Sequence, residues 1–330
     1  MEDIGLVGTG PRLAAIAHLV DRNGRQMRHW GLDEASSGPV SSGDFGASGR
    51  RGEQVSAWPE SVGEARVDDL ADTPLIFLWT PIHRMRDTLR RLGDVLTGRQ
   101  VVVHLSRTLE YATLTNVSSI IEQETPVPRT GFVTGPMVPE DVVAERGASA
   151  VCASDFPEVN DLVEEVLRRP RFRFFRNTDL AGTQAAAVYA RILSLVAGMA
   201  AELDVGRSLQ STLFASGLAE MRDFVVYQGG VDRTTFGLAG AGNLHVDTTG
   251  TGGIDFQIGR ELVDGGLDDI EAFRDDLAAV DDEIFGLLDT LASRARQAQL
   301  DLTILEVVDR VVSEEISLQE AVNELIGTAG

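Results

Sequence analysis

The sequence predicts an α/β domain with a parallel sheet, followed by an all-α domain. Three observations predict it. From residue 3 to about 179, short apolar runs alternate with amphipathic helical patterns, as in a parallel sheet covered by helices on both faces. Residues 180–203 are apolar, alanine-rich and free of turn signals, which reads as one long buried helix. Beyond them helical periodicity recurs with little strand signal. A chain of 330 residues exceeds the roughly 250–300 at which single cores stop growing, so we divide it into 1–180 and 181–330.

In order, Asp-Ile-Gly-Leu-Val-Gly at 3–8 reads as a buried first strand, and helical periodicity follows from Arg12 to about Asn23. A second strand, Gln26–Trp30, ends in Gly31-Leu32-Asp33-Glu34. Residues 35–55 are rich in Gly and Ser and read as a flexible surface insertion. Further strands are expected at Pro74–Trp79, Gln100–Leu105, Val127–Thr134 and Ala148–Ala153, with helices at 82–96, 109–123 and 157–168 between them. After the long helix, helical patterns lie at 207–228, 255–264, 267–297, 301–312 and 316–326. No internal repeat is evident.

Composition narrows the function. Apolar and aromatic fractions of 43% and 6% are those of a soluble globular protein, and no apolar run approaches the roughly 20 residues of a membrane span. No signal peptide is read, so the cytoplasm is the expected compartment. One cysteine, Cys152, excludes an internal disulfide, and the five histidines lack ligand spacing, so no metal is expected. A net charge of −22 opposes nucleic acid and anionic membrane surfaces. All 29 basic residues are arginine. An acidic, lysine-free chain suits a high-salt cytoplasm, where screening removes self-repulsion, but drift in a GC-rich genome would leave the same composition. Either origin excludes a Schiff base, a lysine general base and a lysine phosphate clamp.

The first strand-to-helix junction reads Gly8-Thr9-Gly10-Pro11-Arg12-Leu13. In a dinucleotide-binding unit the first glycine permits the tight turn, the second lets the backbone approach the pyrophosphate, and the third packs helix on strand. Leu13 stands at the third position, so the fingerprint is incomplete. Pro11 is comfortable at a helix start, and Arg12 brings positive charge to the phosphate end. Asp33 or Glu34 supplies the acidic residue expected about 20 residues on. A vestigial turn without a cofactor would look the same.

Several blocks in order resemble the bacterial NAD(P)-dependent glycerol-3-phosphate dehydrogenase family. They are Val7–Ala17, His29-Trp30-Gly31, Leu78–Arg86, Leu105–Glu110, Thr134-Gly135-Pro136, Arg173–Gly182, Ser216–Met221, Thr234–Leu244 and Ile316–Ile326. Ser216–Met221 and the Gly-Leu-Ala-Gly-Ala-Gly-Asn-Leu loop are the most specific. The resemblance implies an N-terminal Rossmann domain, a C-terminal 6-phosphogluconate-dehydrogenase-like helical domain, and a site in the cleft between them. It also implies NAD or NADP held by Gly8, Thr9, Gly10, Pro11, Arg12, Pro81, Arg107 and Pro139, a small-molecule substrate, and a homodimer.

The same resemblance exposes what is missing. The family's catalytic lysine and the asparagine after it fall at Ala190 and Arg191, and alanine can neither move a proton nor polarise a carbonyl. A second family lysine falls at Arg107, a poor proton donor with a pKa above about 12. The aspartate that orients the catalytic lysine is Asn243, and the hydroxyl after Gly-Pro is Met137. The substrate positions fall at Gly135, Asn243, Gly253, Ile254 and Asp255, the last three replacing a phosphate-gripping Ser-Arg-Asn. Arg191 is expected to pair with Asp179 or Glu220; a relocated anion clamp is its other reading. His245 is the nearby group with a pKa suited to proton transfer, or a solvated loop histidine. The function expected is a glycerol-3-phosphate dehydrogenase-like pseudoenzyme that keeps the fold and its dinucleotide turn. The alternative is an NAD(P)-dependent oxidoreductase acting on a different small carbonyl or hydroxy compound through Arg107, Arg191 or His245.

Overall fold

A computed structural model describes residues 3–32, 58–249, 252–277 and 283–327. Strand β1 (Ile4–Gly8) is buried along its whole length, because Ile-Gly-Leu-Val-Gly offers no polar side chain to either face. Parallel to it on one side runs β2 (Met27–Trp30), which pairs in turn with the short edge strand β3 (Val62–Glu64). On its other side are β4 (Leu75–Trp79), β5 (Val101–His104) and β6 (Thr130–Thr134), all parallel. Two more strands, β7 (Ala148–Ala153) and β8 (Phe172–Asn177), complete an eight-stranded sheet of order 3-2-1-4-5-6-7-8.

The sheet departs from the expected all-parallel form at one place. β7 pairs antiparallel with β6, through Phe132↔Ala153 and Thr134↔Val151, while β7 and β8 are parallel. The physical reason is the connection. Between β6 and β7 lies only the five-residue α4 (Pro139–Val143), which packs on α1 (Pro11–Asp21) instead of making a full crossover.

Side-chain alternation assigns the helices to faces. Ile4, Leu6, Leu75, Phe77, Val101 and Val103 share one core with Leu13, Ile16 and Val20 of α1 and with Val159 and Val163 of α5 (Pro157–Leu167). Gly5, Ile76 and Val102 point the other way, where α2 (Ile82–Gly93) and α3 (Val117–Glu124) pack together. Helix α3 starts later than the expected 109. Leu109 bridges Asn116, Leu114 adopts a left-handed φ of 58°, and Asn116 accepts from the Ser119 N–H to cap the helix. The acidic pair Asp33-Glu34 and the Gly/Ser-rich stretch 35–55 lie outside the described residues.

The chain forms two units, Met1–Glu110 with Thr115–Gln184, and Tyr111–Leu114 with Ala185–Gly330. Helix α6 (Leu180–Glu202) runs through the boundary. Its 23 residues are long and apolar enough to cross a membrane by length and composition, which corrects the reading that no run is; 89% of its most apolar window is buried in the protein. The second unit is helical: α7 (Arg207–Tyr227), α8 (Asn243–Asp247), α9 (Ile254–Val263), α10 (Ile270–Leu277), α11 (Glu283–Ala298), α12 (Thr303–Val312) and α13 (Leu318–Gly327). Tyr189 on α6 and Glu220 on α7 tie these two helices to α12. The buried Tyr189 hydroxyl donates to Glu220 Oε2 at 2.9 Å, and the Ile304 N–H at the start of α12 donates to Oε1 at 2.7 Å. Glu220 thereby caps α12 from α7.

Candidate functional site

In the first unit the glycine turn has the backbone that its sequence requires. Gly8 has a φ of 89°, and a Cβ there would lie 1.7 Å from the Trp79 carbonyl oxygen, so no other residue fits. The Gly8 carbonyl is held at 2.7 Å by Nε2 of His29 on β2, whose ring lies 4.5 Å from that of Trp58. Burial pulls the His29 imidazole below its ordinary pKa, partly offset by the Gly8 carbonyl, so the neutral ring donates from Nε2. Gly10 precedes α1 and Pro11 opens it, which leaves the first helical position without an N–H. The Arg12 guanidinium turns to the Gly135 carbonyl, 3.5 Å away, so the turn and the Gly-Pro loop meet through it.

Trp79 was not anticipated here. It ends β4 in register with Gly8, and its indole covers Gly10: a Cβ on Gly10 would lie 2.8, 2.9 and 3.2 Å from Cε3, Cδ2 and Cζ3. The only sequence signal was its position as the last strand residue, on the same face as Phe77. Among the other expected residues of this unit, Thr9 is half-buried, and Pro81 caps α2. Arg107 is half-buried in the loop after β5, and Pro139 opens α4. Gly135 has a φ of 114°, and its carbonyl accepts from the Met137 N–H at 2.6 Å.

In the second unit Ala190 and Arg191 lie in the buried middle of α6. The Arg191 fork meets Asp255 on α9, with Nε to Oδ2 at 3.0 Å and Nη2 to Oδ1 at 2.9 Å. Both side chains are nearly inaccessible, at 6% and 2%. Nη1 also lies 3.4 Å from the carboxylate of Glu283 at the start of α11, and the Tyr111 hydroxyl donates to the Glu283 carbonyl at 3.1 Å. These partners correct the expected pairing. Of the two carboxylates expected, Glu220 is taken by Tyr189 and α12, and Asp179 accepts from the Gly182 N–H at 2.9 Å. Glu283 gave no sequence signal, being 92 residues from Arg191.

Around this pair the remaining expected positions follow. Asn243 is fully buried and its amide donates to the Ala239 carbonyl at 2.8 Å, a bond that a carboxylate could not make. Gly253 caps α9 and donates its N–H to the Asp247 carbonyl at 2.7 Å, and Ile254 is half-buried at the first helical position. His245 is exposed on the last turn of α8. Arg191 contributes one positive charge and Asp255 and Glu283 two negative ones, so this cluster does not present the net positive charge that grips a phosphate. Among the described residues no group of three or more His, Cys, Asp or Glu is placed to hold a metal.

Comparisons with known proteins agree with this architecture. Residues 3–160 match the family model for the NAD-dependent glycerol-3-phosphate dehydrogenase N-terminus, and residues 179–323 match that for its C-terminus. The chain is 26% identical over 326 residues to the glycerol-3-phosphate dehydrogenase [NAD(P)+] of Pseudomonas entomophila, covering 98% of this chain and 94% of that one. The enzyme of the same name from Staphylococcus carnosus is 24% identical over 333 residues, covering 99% and 98%. In fold, the chain is similar to the glycerol-3-phosphate dehydrogenase of Coxiella burnetii, with a TM-score of 0.86 at 21% identity and 98% of each chain covered. It is also similar to that of Saccharomyces cerevisiae, with a TM-score of 0.77 at 16% identity, covering 98% and 99%. The chain therefore belongs to the NAD-dependent glycerol-3-phosphate dehydrogenase family.

Proposed function

We propose that the chain keeps the frame of its family without the family reaction, as a dehydrogenase-like pseudoenzyme. The observation that carries this reading is the buried Arg191–Asp255–Glu283 cluster. It lies where the resemblance sets the catalytic lysine-asparagine pair and part of the phosphate grip. A carboxylate in the grip repels a phosphate, and the guanidinium that could offset it is engaged by that carboxylate. Ala190 offers no proton, and a lysine-free chain supplies no substitute from elsewhere. His245 and Arg107 do not mend this, the first being solvent-exposed on α8 and the second unable to donate a proton near neutral pH. Dinucleotide binding is a separable property, because Gly8, Thr9 and Gly10 lie in the other unit.

Calorimetric titration of the full chain with glycerol 3-phosphate and with dihydroxyacetone phosphate, in low and molar salt, tests the reading. No saturable heat is expected with either. Saturable binding tighter than millimolar, abolished by Arg191→Ala, would overturn it by showing that Arg191 is available as an anion clamp.

A further inference from the structure

We propose that the Trp79 indole is a plug over the glycine turn, standing where a dinucleotide pyrophosphate would land, and that it keeps either nicotinamide dinucleotide from seating there. The inference concerns binding and not turnover, and so stands independently of the proposed loss of reaction.

The second glycine of a dinucleotide fingerprint earns its place because a missing side chain lets phosphate oxygens reach the backbone. At Gly10 that missing side chain points into an indole. All three atoms that a Cβ would meet are ring carbons of Trp79, at 2.8–3.2 Å. The indole is thus in van der Waals contact with the Gly10 backbone, and a pyrophosphate cannot occupy the same place. Those carbons also offer no donor, so a phosphate pressed against them would lose water without receiving a hydrogen bond.

Two further features fix the plug. Trp79 is held by its backbone, since it pairs with Gly8 in the β1–β4 ladder and its carbonyl fills the space beside Gly8. Its side chain packs against the apolar core shared with Leu13 and Ile16 of α1. Meanwhile Pro11 removes one of the helix-terminal N–H groups that a phosphate uses, and Arg12 reaches toward the Gly135 carbonyl. The glycine at position 10 is therefore required by Trp79 itself, whether or not a cofactor binds. As the residues stand, they do not fit a bound dinucleotide.

The test is titration of the full-length protein and its Trp79→Val variant with NADH and with NADPH. The variant is expected to bind at least one of them tenfold or more tightly than the parent. Adding Gly10→Ala to Trp79→Val should cancel the gain by refilling the landing place. Equal affinity of parent and variant, no binding by either, or a gain that survives Gly10→Ala would each overturn the plug. Should Trp79→Val fail to fold, Trp79→Leu provides the same comparison with a larger core side chain. Oxidation of glycerol 3-phosphate by the opened variant would overturn the proposed loss of reaction and leave the plug standing.

Discussion

The glycine turn of the first unit and the middle of α6 in the second are held in different ways. At the turn it is backbone that decides: Gly8 has a left-handed φ, and Gly10 lies in close approach to an indole. In α6 the backbone is an ordinary helix, and what decides is charge. Arg191 and Asp255 satisfy each other's charge in the interior. Gly8 and Gly10 are thus fixed by what packs against them, and Arg191 and Asp255 by each other. Gly240 of the Gly-Leu-Ala-Gly loop makes the same point, because a Cβ there would lie 2.1 Å from the Thr235 carbonyl oxygen and 2.9 Å from the Met221 sulfur. Steric fit alone is therefore enough to require glycine at positions 8, 10 and 240.

This contrast can be broken most sharply at Asp255. Asp255→Ala leaves a buried guanidinium without its main partner and should cost about 3–5 kcal/mol in denaturant unfolding. The double variant Arg191→Met, Asp255→Leu should recover most of that loss. If the single variant costs under about 1 kcal/mol, the pair is not the interior anchor described here.

Gly8→Ala probes the other region. The added methyl meets a backbone carbonyl in a left-handed turn, and about 2–4 kcal/mol of destabilisation is expected by thermal or chemical unfolding. A neutral outcome would show that the turn is not held by the β1–β4 pairing.

Glu220 separates structural charge from site charge within the second unit. Burial pushes its carboxyl up to about 7, against the Ile304 N–H, the Tyr189 hydroxyl and the Leu305 N–H, which favour the ionised form. The folded state therefore holds a proton that the unfolded chain releases near its ordinary value of 4.5. The associated stability is present below pH 4.5 and is lost as pH rises to about 7, on the order of 3 kcal/mol. Glu220→Gln should lack this loss, so the difference between parent and variant unfolding free energies should move in the variant's favour across that window and level off above it. A flat difference would mean that Glu220 stays ionised throughout. At the small end, His245→Ala should change stability by less than about 0.5 kcal/mol, because the ring is exposed; a larger change would give His245 a role not seen in its surroundings.

The first region was legible in sequence where backbone alone decides. An apolar run ending in glycine can form little other than β1 and its turn, and the alanine-rich stretch after Leu180 can form little other than a buried helix. Leu109–Asn116 misled because its apolar spacing imitates a helix, while a left-handed Leu114 and the Asn116 cap turn it into a hairpin-like loop. In the second region the absence of lysine was plain, but the partners of Arg191 were not. Its partners lie 64 and 92 residues away on other helices, and several carboxylates competed for it on paper. The direction of the Trp79 side chain was equally hidden, since residue type does not state which face a strand end presents.

The most direct measurement is an initial-rate assay of the purified chain for hydride transfer between glycerol 3-phosphate and NAD⁺ or NADP⁺, in both directions and in low and molar salt. The expected result is no turnover above the enzyme-free rate under any condition. Turnover that scales with protein concentration and is lost in Asp255→Ala under conditions where that variant remains folded would contradict it. It would mean that the Arg191–Asp255 pair performs the chemistry that we hold it to have replaced.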